Sequence, residues 1–160
     1  MNTAYLLTGS NMGDRINYLQ QAIELIEAAN CTISNCSAVY ETAAWGKTDQ
    51  NAFLNQALAV ETSLSAPELM ALLLRIEEKA GRKRVEKYGP RIIDIDVLLF
   101  NNDIQQTPEL SVPHPELPNR RFALVPLAEI AGDVMHPILH KTTKELLAEC
   151  KDPLPVKKFA

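Results

Sequence analysis

The spacing of apolar residues along the first part of the chain predicts alternating strands and helices. A short apolar run over 4–8 ends in Gly-Ser-Asn, which is typical of a buried strand followed by a turn. A helix is predicted over 14–30, because apolar residues recur there at spacings of three and four. Its apolar stripe consists of Ile16, Leu19, Ile23 and Ile26. Strands are predicted over 33–40 and about 53–61, joined by a loop over 41–51.

The second helix has recognisable start and stop signals. Ser65 and Glu68 have the spacing of a capping box, Pro67 lies in the first turn, and Gly81 is placed to end the helix. Its apolar stripe consists of Leu69, Leu72, Leu73 and Ile76. The β-branched, apolar stretch over 92–100 then predicts a central strand. The order strand, helix, strand, strand, helix, strand predicts a ferredoxin-like α+β fold, in which an antiparallel sheet carries two helices on one face.

The C-terminal segment over 101–160 is rich in proline and predicts long ordered loops with short helices. We expect helices at about 121–130, interrupted by Pro126, and at about 143–150. Something beyond the two main helices must cover the other face of the sheet. No linker, repeat or low-complexity segment is present, so we predict one domain over 1–160.

Composition restricts the class of protein. With 160 residues, 46% hydrophobic and 22% charged, the chain is close to globular averages, which excludes disorder and coiled coil. The cysteines Cys31, Cys36 and Cys150 are odd in number and lack a C-x-x-C spacing, which indicates reduced core thiols. The chain shows no signal-peptide pattern and no membrane-length apolar run, so we expect a cytoplasmic protein.

The distribution of charge is more informative than its total. A net charge of -4 argues against a general nucleic-acid-binding surface. Yet seven positive residues fall within 82–91 and 120–121, against one negative residue, Glu86. This basic cluster predicts a small anionic ligand. Taken by itself, the count is equally compatible with chance clustering on a solvated loop.

Two carboxylates interrupt the apolar strand over 92–100. Asp94 and Asp96 project from the same face, roughly 6.5 to 7 Å apart at Cα, because side chains alternate along a strand. Ile92, Leu98 and Phe100 are expected to share that face and to cover it partly. Like charges in such a place repel unless a cation lies between them, and Mg²⁺ is usually held by one or two carboxylates with substrate phosphates. The alternative is an exposed strand end with ordinary surface acids.

A basic segment precedes this strand. Arg91 lies three residues before Asp94, so a guanidinium and a metal pair would lie side by side, as triphosphate recognition requires. The segment from Arg82 to Tyr88 would by itself favour a solvated basic loop, but its place beside the two aspartates favours a lid that brings positive charge onto phosphates. Neither glycine-rich phosphate-binding motif occurs, so metal and arginines must hold any nucleotide.

Histidines and aromatic residues supply further candidates. His114 lies between two prolines, six residues before Arg120, and could donate to a phosphate or a leaving oxygen, although isolated loop histidines are often inert. We interpret His136 and His140 as structural or surface residues. A flat heterocycle would suit a pocket of aromatic rings and one amide, although these residues also fit an ordinary core. The pocket candidates are Trp45, Phe53, Asn55 and Phe122.

The segment from Lys87 to Leu98 resembles a family signature. Its Gly-Pro-Arg-Ile-Ile-Asp-Ile-Asp core is similar to the G-P-R-x-x-D-[LIV]-D motif of the 6-hydroxymethyl-7,8-dihydropterin pyrophosphokinases of folate biosynthesis. Other family-like pieces, in family order, are Gly9-Ser-Asn11, Phe53-Leu-Asn55, Glu77, Gly81-Arg82, Val112-Pro-His114 and Asn119-Arg120. Phe53, Tyr88 and Glu109 depart from the common family pattern. The resemblance covers most of the chain.

The resemblance implies an ATP- and Mg²⁺-dependent diphosphotransferase, a single catalytic domain that releases AMP. It implies two Mg²⁺ ions at Asp94 and Asp96, which with Arg82 and Arg91 form the catalytic set. The implied ATP-binding residues are Glu77, Arg82, Arg84, Arg91, Leu98, His114 and Arg120. The implied pterin-binding residues are Thr42, Ala43, Trp45, Phe53, Asn55 and Phe122.

Two other functions are compatible with the sequence. One is a nucleotide-sensing or RNA-binding ferredoxin-like module without catalysis, which the net charge of -4 and the missing aromatic RNA-binding motif disfavour. The other is a related phosphotransferase acting on a different flat heterocycle. For the main hypothesis we expect small-molecule partners, no nucleic acid, no membrane, and a monomer.

Overall fold

The computed structural model describes residues 1–43, 51–80 and 92–159. The strands in these ranges are β1 (Asn2–Ser10), β2 (Thr32–Cys36), β3 (Tyr40–Thr42), β4 (Phe53–Thr62), β5 (Asp94–Phe100), β6 (Gln105–Gln106), β7 (Ser111–Val112) and β8 (Val156–Lys158). The helices are α1 (Arg15–Ala28), α2 (Ala66–Lys79), α3 (Arg121–Ala131) and α4 (Thr143–Glu149). The main sheet has the antiparallel order β5-β1-β4-β3-β8, and β2 also pairs with β4. This arrangement confirms the predicted ferredoxin-like fold.

Helices α1 and α2 pack on one face of the sheet, as their apolar stripes predict. Leucines of β1 and β4 meet the buried sides of both helices in the larger core cluster. In α1 the buried row is Leu19, Ala22 and Ile26, whereas Ile16, predicted to belong to it, is 44% exposed. The capping box of α2 is present, because Ser65 Oγ accepts from the Glu68 amide and the Glu68 carboxylate accepts from the Ser65 amide. Gly81 lies outside the described residues.

Helices α3 and α4 cover the other face, on a second core cluster. Leu124 and Leu127 of α3 are fully buried against Leu7 of β1 and Leu98 and Leu99 of β5. The expected interruption at Pro126 is wrong, because α3 continues through this residue. A proline within a helix costs about 3 kcal/mol, and burial of the surrounding apolar row offsets that cost.

The strand predicted over 33–40 is two strands, β2 and β3, which both pair with β4. Between them Ser37 interrupts the ladder, and its hydroxyl accepts a hydrogen bond from the Ala57 amide at 2.9 Å. The loop predicted from residue 41 therefore begins later, because Glu41 and Thr42 belong to β3. The break leaves β3 as a strand of three residues, paired with the part of β4 that contains Phe53 and Asn55.

A register shift in β5 changes which side chains share a face. The pairing with β1 shifts between Tyr5 and Leu6, so that Leu98 and Leu99 both reach the α3 side. Phe100 consequently packs in the opposite cluster, and the expectation that it shares the face of Asp94 is wrong.

The three cysteines are free, as predicted, but only Cys31 is buried, and Cys36 is exposed. His136 has a structural role, since its Nδ1 accepts from the amides of Ile138 and Leu139. Among the described helices, none has the combination of length and apolar character needed to cross a membrane.

Candidate active site

A single row of residues crosses four strands on the α3 face of the sheet. Tyr40 of β3 pairs with Asn55 of β4, Asn55 with Gly9 of β1, and Gly9 with Asp94 of β5. Directly paired residues point to the same face, so Asn55 and Asp94 flank Gly9, roughly 10 Å apart at Cα for two strand spacings. A side chain at Gly9 would meet Asn55 Nδ2 at 2.6 Å. The glycine therefore keeps the space between amide and carboxylate clear.

One side of this space carries neutral polar atoms that lack partners. In the part of the chain that the structure describes, Asn55 Oδ1 and Thr42 Oγ1 are buried without a hydrogen bond. The Asn55 amide nitrogen is held by the Thr8 carbonyl at 3.1 Å, which fixes the orientation of the side chain. Phe53 pairs with Thr42 at the end of the ladder. We call Thr42, Phe53 and Asn55 the neutral side of the site.

Buried polar atoms are nearly always paired, and an unpaired one costs about 1–3 kcal/mol. The neutral side therefore presents an amide oxygen and a hydroxyl that a planar, hydrogen-bonding ligand can satisfy.

The other side of the space carries charge. Asp94 and Asp96 are half-buried and face the α3 side, because Asp96 pairs with Leu7 of the α3 cluster. Behind them, the buried Glu77 of α2 accepts a hydrogen bond from the Ile95 amide at 2.7 Å. This bond holds the backbone between the two aspartates. With His114 and Arg120, described next, the two aspartates form the charged side of the site.

His114 is brought to the aspartates by the segment that follows β7. Its amide donates to the Leu98 carbonyl of β5 at 2.9 Å. Burial is the largest influence on the pKa of His114 and lowers it from 6.5; Asp96 and Glu116 oppose this shift, and Arg120 adds to it. The Glu116 amide donates to Nδ1 at 3.1 Å, so the proton of the neutral ring lies on Nε2. His114 can thus donate a hydrogen bond without adding charge.

Arg120 precedes α3, and its guanidinium lies 5.6 Å from the centre of the Phe122 ring. This cation–π contact joins the charged side to an aromatic ring of the first helical turn. Arg121, which the sequence places in the same basic cluster, turns elsewhere: its side chain donates to the carbonyls of Asp152 and Cys150. The basic cluster therefore loses one of its seven members.

The remaining predicted residues are placed as follows. Leu98 is buried in the α3 cluster, and its carbonyl is occupied by the His114 amide. Ala43 is exposed at the end of β3. The predictions for Trp45, Arg82, Arg84 and Arg91 lie outside the described residues. Sequence reasoning missed the role of Gly9, which it treated as part of a tight turn; its place at the end of an apolar strand was the available signal.

Comparisons with known proteins identify the family of the chain. A model of the family described as 7,8-dihydro-6-hydroxymethylpterin-pyrophosphokinase (HPPK) matches residues 5–132. The chain is 46% identical over 149 residues to the 2-amino-4-hydroxy-6-hydroxymethyldihydropteridine pyrophosphokinase of Aquifex aeolicus, covering 93% of this chain and 92% of the relative. It is 46% identical over 134 residues to the enzyme of that name from Bacillus subtilis, covering 83% and 80%.

A solved structure shares the fold. The Plasmodium falciparum HPPK-DHPS crystal structure with SDX-DHP superimposes with a TM-score of 0.70 at 19% identity, covering 93% of this chain. This chain spans 43% of that longer one. From the family match and the two bacterial relatives, the chain belongs to the 7,8-dihydro-6-hydroxymethylpterin-pyrophosphokinase family.

Proposed function

We propose that this chain transfers the diphosphate of ATP to the hydroxymethyl group of 6-hydroxymethyl-7,8-dihydropterin and releases AMP, a step in folate biosynthesis. The observation that carries the proposal is the row Asn55, Gly9, Asp94. In this row the unpaired amide oxygen of Asn55 lies on one side of Gly9 and the carboxylate of Asp94 on the other, and the glycine has no side chain to fill the space between them. A flat, hydrogen-bonding ring on the neutral side would direct its hydroxymethyl group, the acceptor of the diphosphate, toward a triphosphate bound on the charged side. The names of the bacterial relatives support the same reaction.

The neutral side would bind the pterin. Asn55 Oδ1 can accept from a ring N–H, and the Thr42 hydroxyl can donate or accept at the ring edge. Phe53 and Phe122 would provide the aromatic surfaces, with Ala43 and Trp45 completing the pocket. A buried amide that is satisfied only by the correct ring discriminates strongly against analogues without the matching group.

The charged side would bind the triphosphate. Asp94 and Asp96 would hold two Mg²⁺ ions together with phosphate oxygens, and their oxygen donors on one strand face suit this hard cation. The chemistry supplied there is neutralisation of phosphate charge. His114 would donate its Nε2 proton to a phosphate oxygen, and Arg120 would pair with another. Arg82, Arg84 and Arg91 would add positive charge, and Glu77 and Leu98 would complete the nucleotide site.

In the reaction, the hydroxymethyl oxygen forms a bond to the β-phosphorus. The bond from that phosphorus to the oxygen bridging the α- and β-phosphates breaks, so AMP leaves with the bridging oxygen, and the hydroxyl proton is released. No covalent enzyme intermediate is needed. The residues act by alignment and by electrostatic stabilisation, which provide most of the catalysis in phosphoryl transfer.

Product analysis tests this proposal. Wild-type protein is incubated with ATP, MgCl₂ and the hydroxymethyl dihydropterin, and the nucleotides are separated by chromatography. We expect AMP and the pterin diphosphate in equal amounts, with no ADP, and loss of turnover when a chelator removes the divalent metal. ADP formation would indicate transfer of one phosphoryl group, and undiminished turnover in chelator would contradict the metal requirement.

We also propose that the chain acts as a monomer on small molecules only. The net charge of -4 supports the absence of a nucleic-acid partner. Light scattering coupled to size-exclusion chromatography tests the oligomeric state, and a dimer mass would contradict it.

A further inference from the structure

Arg15, the first residue of α1, joins parts of the molecule that are distant in sequence. Its Nη1 donates to Glu41 Oε2 at 3.1 Å and to the Ala52 carbonyl at 2.8 Å. The guanidinium also lies 5.7 Å from the centre of the Phe159 ring. The side chain is 23% exposed, so these contacts are largely shielded from water. One nitrogen thus bridges two segments of the sheet.

The two bridged residues lie on either side of the last rung between β3 and β4. That rung pairs Thr42 with Phe53; Glu41 precedes Thr42, and Ala52 precedes Phe53. The adjacent carbonyl, of Asn51, accepts from the Nδ2 atom of the buried Asn11 at 3.2 Å. Asn11, in the connection between β1 and α1, and Arg15, at the start of α1, therefore hold two successive carbonyls immediately before Phe53.

The rung needs this support because β3 has only three residues, and its outer neighbour β8 has three as well. Ladders this short are marginal without side-chain contacts. The first residue of β3 is held from the α3 face, where the Tyr40 hydroxyl donates to Glu129, a bond that raises the pKa of Tyr40 to about 12. Arg15 anchors Glu41, the middle residue of β3, from the α1 side of the sheet.

Building on the proposed function, we propose that Arg15 is a positioning residue for the pterin pocket. By joining Glu41 to Ala52, Arg15 sets the separation and orientation of Thr42 and Phe53. It does so from the α1 side of the sheet, opposite the face on which the ligand would bind. Without it, the carboxylate and the carbonyl would be hydrated and the last rung would fray. The charged side would be unaffected, because its residues lie in β5 and in the segment before α3, and the bonds of Arg15 to Glu41 and Ala52 reach neither.

Steady-state kinetics with both substrates tests this role. Arg15→Met keeps an apolar stem but removes charge and donors, and Arg15→Lys restores both. We expect Arg15→Met to raise the KM for the pterin about 10-fold, the size of effect produced by small misplacement of binding groups. The KM for ATP should stay within about twofold of wild type. Arg15→Lys should recover part of the loss, because one ammonium can donate to both acceptors but does not reproduce the contact of the guanidinium with the Phe159 ring. Glu41→Gln should shift the pterin KM in the same direction by less.

The matched control is Lys144→Met, which removes a cation from the exposed ion pair with Asp133, whose side chains are 66% and 90% exposed. It should change neither KM. Assays run well below every variant's melting temperature, so that a general loss of stability does not enter. Equal rises in both KM values, or an unchanged pterin KM with a lower melting temperature, would overturn the role and leave Arg15 as a purely stabilising residue.

The wild-type assay separates this inference from the proposed function. Absence of AMP in wild type contradicts the reaction itself. AMP formation in wild type, with an unchanged pterin KM in Arg15→Met, contradicts only the role of Arg15. Calorimetric binding of the pterin in the presence of a non-hydrolysable ATP analogue makes the same comparison of variants without turnover.

Discussion

The two sides of the site differ in how their polar groups are treated before a ligand binds. The charged side collects ionisable groups at the half-buried end of β5 and in the segment before α3, and Asp94 and Asp96 keep part of their surface in contact with water. The neutral side buries an amide oxygen and a hydroxyl that have no partner in the described ranges. Both lie on one face of one sheet, separated by Gly9.

Because of this difference, substitutions on the two sides should affect catalytic rate and protein stability differently. Removing the Asp96 carboxylate from the charged side should lower the rate and leave the fold nearly unchanged, because a charge that stays partly exposed to water contributes little to folding. Removing an unpaired group from the neutral side should weaken ligand binding and stabilise the free protein, because its burial is a cost until the ligand arrives.

The largest effect is expected at Asp96. Asp96→Ala should lower kcat on the order of a thousandfold, as loss of a group that stabilises transition-state charge does. The melting temperature should change little. Asp96→Asn keeps the shape and should lose almost as much activity, whereas Asp133→Asn, at an exposed carboxylate, should be neutral. Activity within tenfold of wild type for Asp96→Ala would remove the carboxylate pair from the mechanism.

The next effect concerns the neutral side. Asn55→Ala should raise the pterin KM roughly 10- to 100-fold, the equivalent of a lost buried hydrogen-bonding group, and should leave the KM for ATP unchanged. The exposed Asn35 of β2 supplies the control, since Asn35→Ala should alter neither constant. A parallel rise in the KM for ATP would show that the two sides are not separable.

A smaller effect is expected on stability. Thr42→Val replaces a buried, unpaired hydroxyl with a methyl of similar size and should raise the free energy of unfolding by about 1 kcal/mol. Urea denaturation without ligand measures it. Addition of the pterin should reduce the difference in the free energy of unfolding between Thr42→Val and wild type, because the ligand stabilises wild type more than the variant. A destabilised Thr42→Val protein would contradict the view that the hydroxyl is unsatisfied.

The smallest effect is a pH dependence at His114. Because burial lowers the folded-state pKa of His114 below 6.5, the unfolded chain binds a proton first as the pH falls. The free energy of unfolding should therefore decrease from pH 6.5 down to the folded-state pKa and be insensitive to this group above pH 6.5. His114→Gln should reduce that decrease, while the similar contribution of His136 persists. Equal pH slopes in both proteins would contradict the shift.

Local sequence signals predicted the elements whose own residues specify them. The capping box at Ser65 marked the start of α2, and the alternation of Asp94 and Asp96 within an apolar strand marked the charged side. Features that depend on contacts with another element were not predicted from the sequence. The division of β2 from β3 depends on Ser37 contacting β4, and the continuation of α3 through Pro126 depends on packing against the sheet.

The sequence by itself determined the order of the elements, the family and the carboxylate pair, because periodicity, capping and motif spacing are properties of contiguous residues. Only the tertiary structure decided that Gly9 separates Asn55 from Asp94, that Arg121 leaves the basic cluster, and that Arg15 holds the last rung of β3 and β4. These relations join residues distant along the chain, so they exist only once strand register and helix packing have brought those residues together.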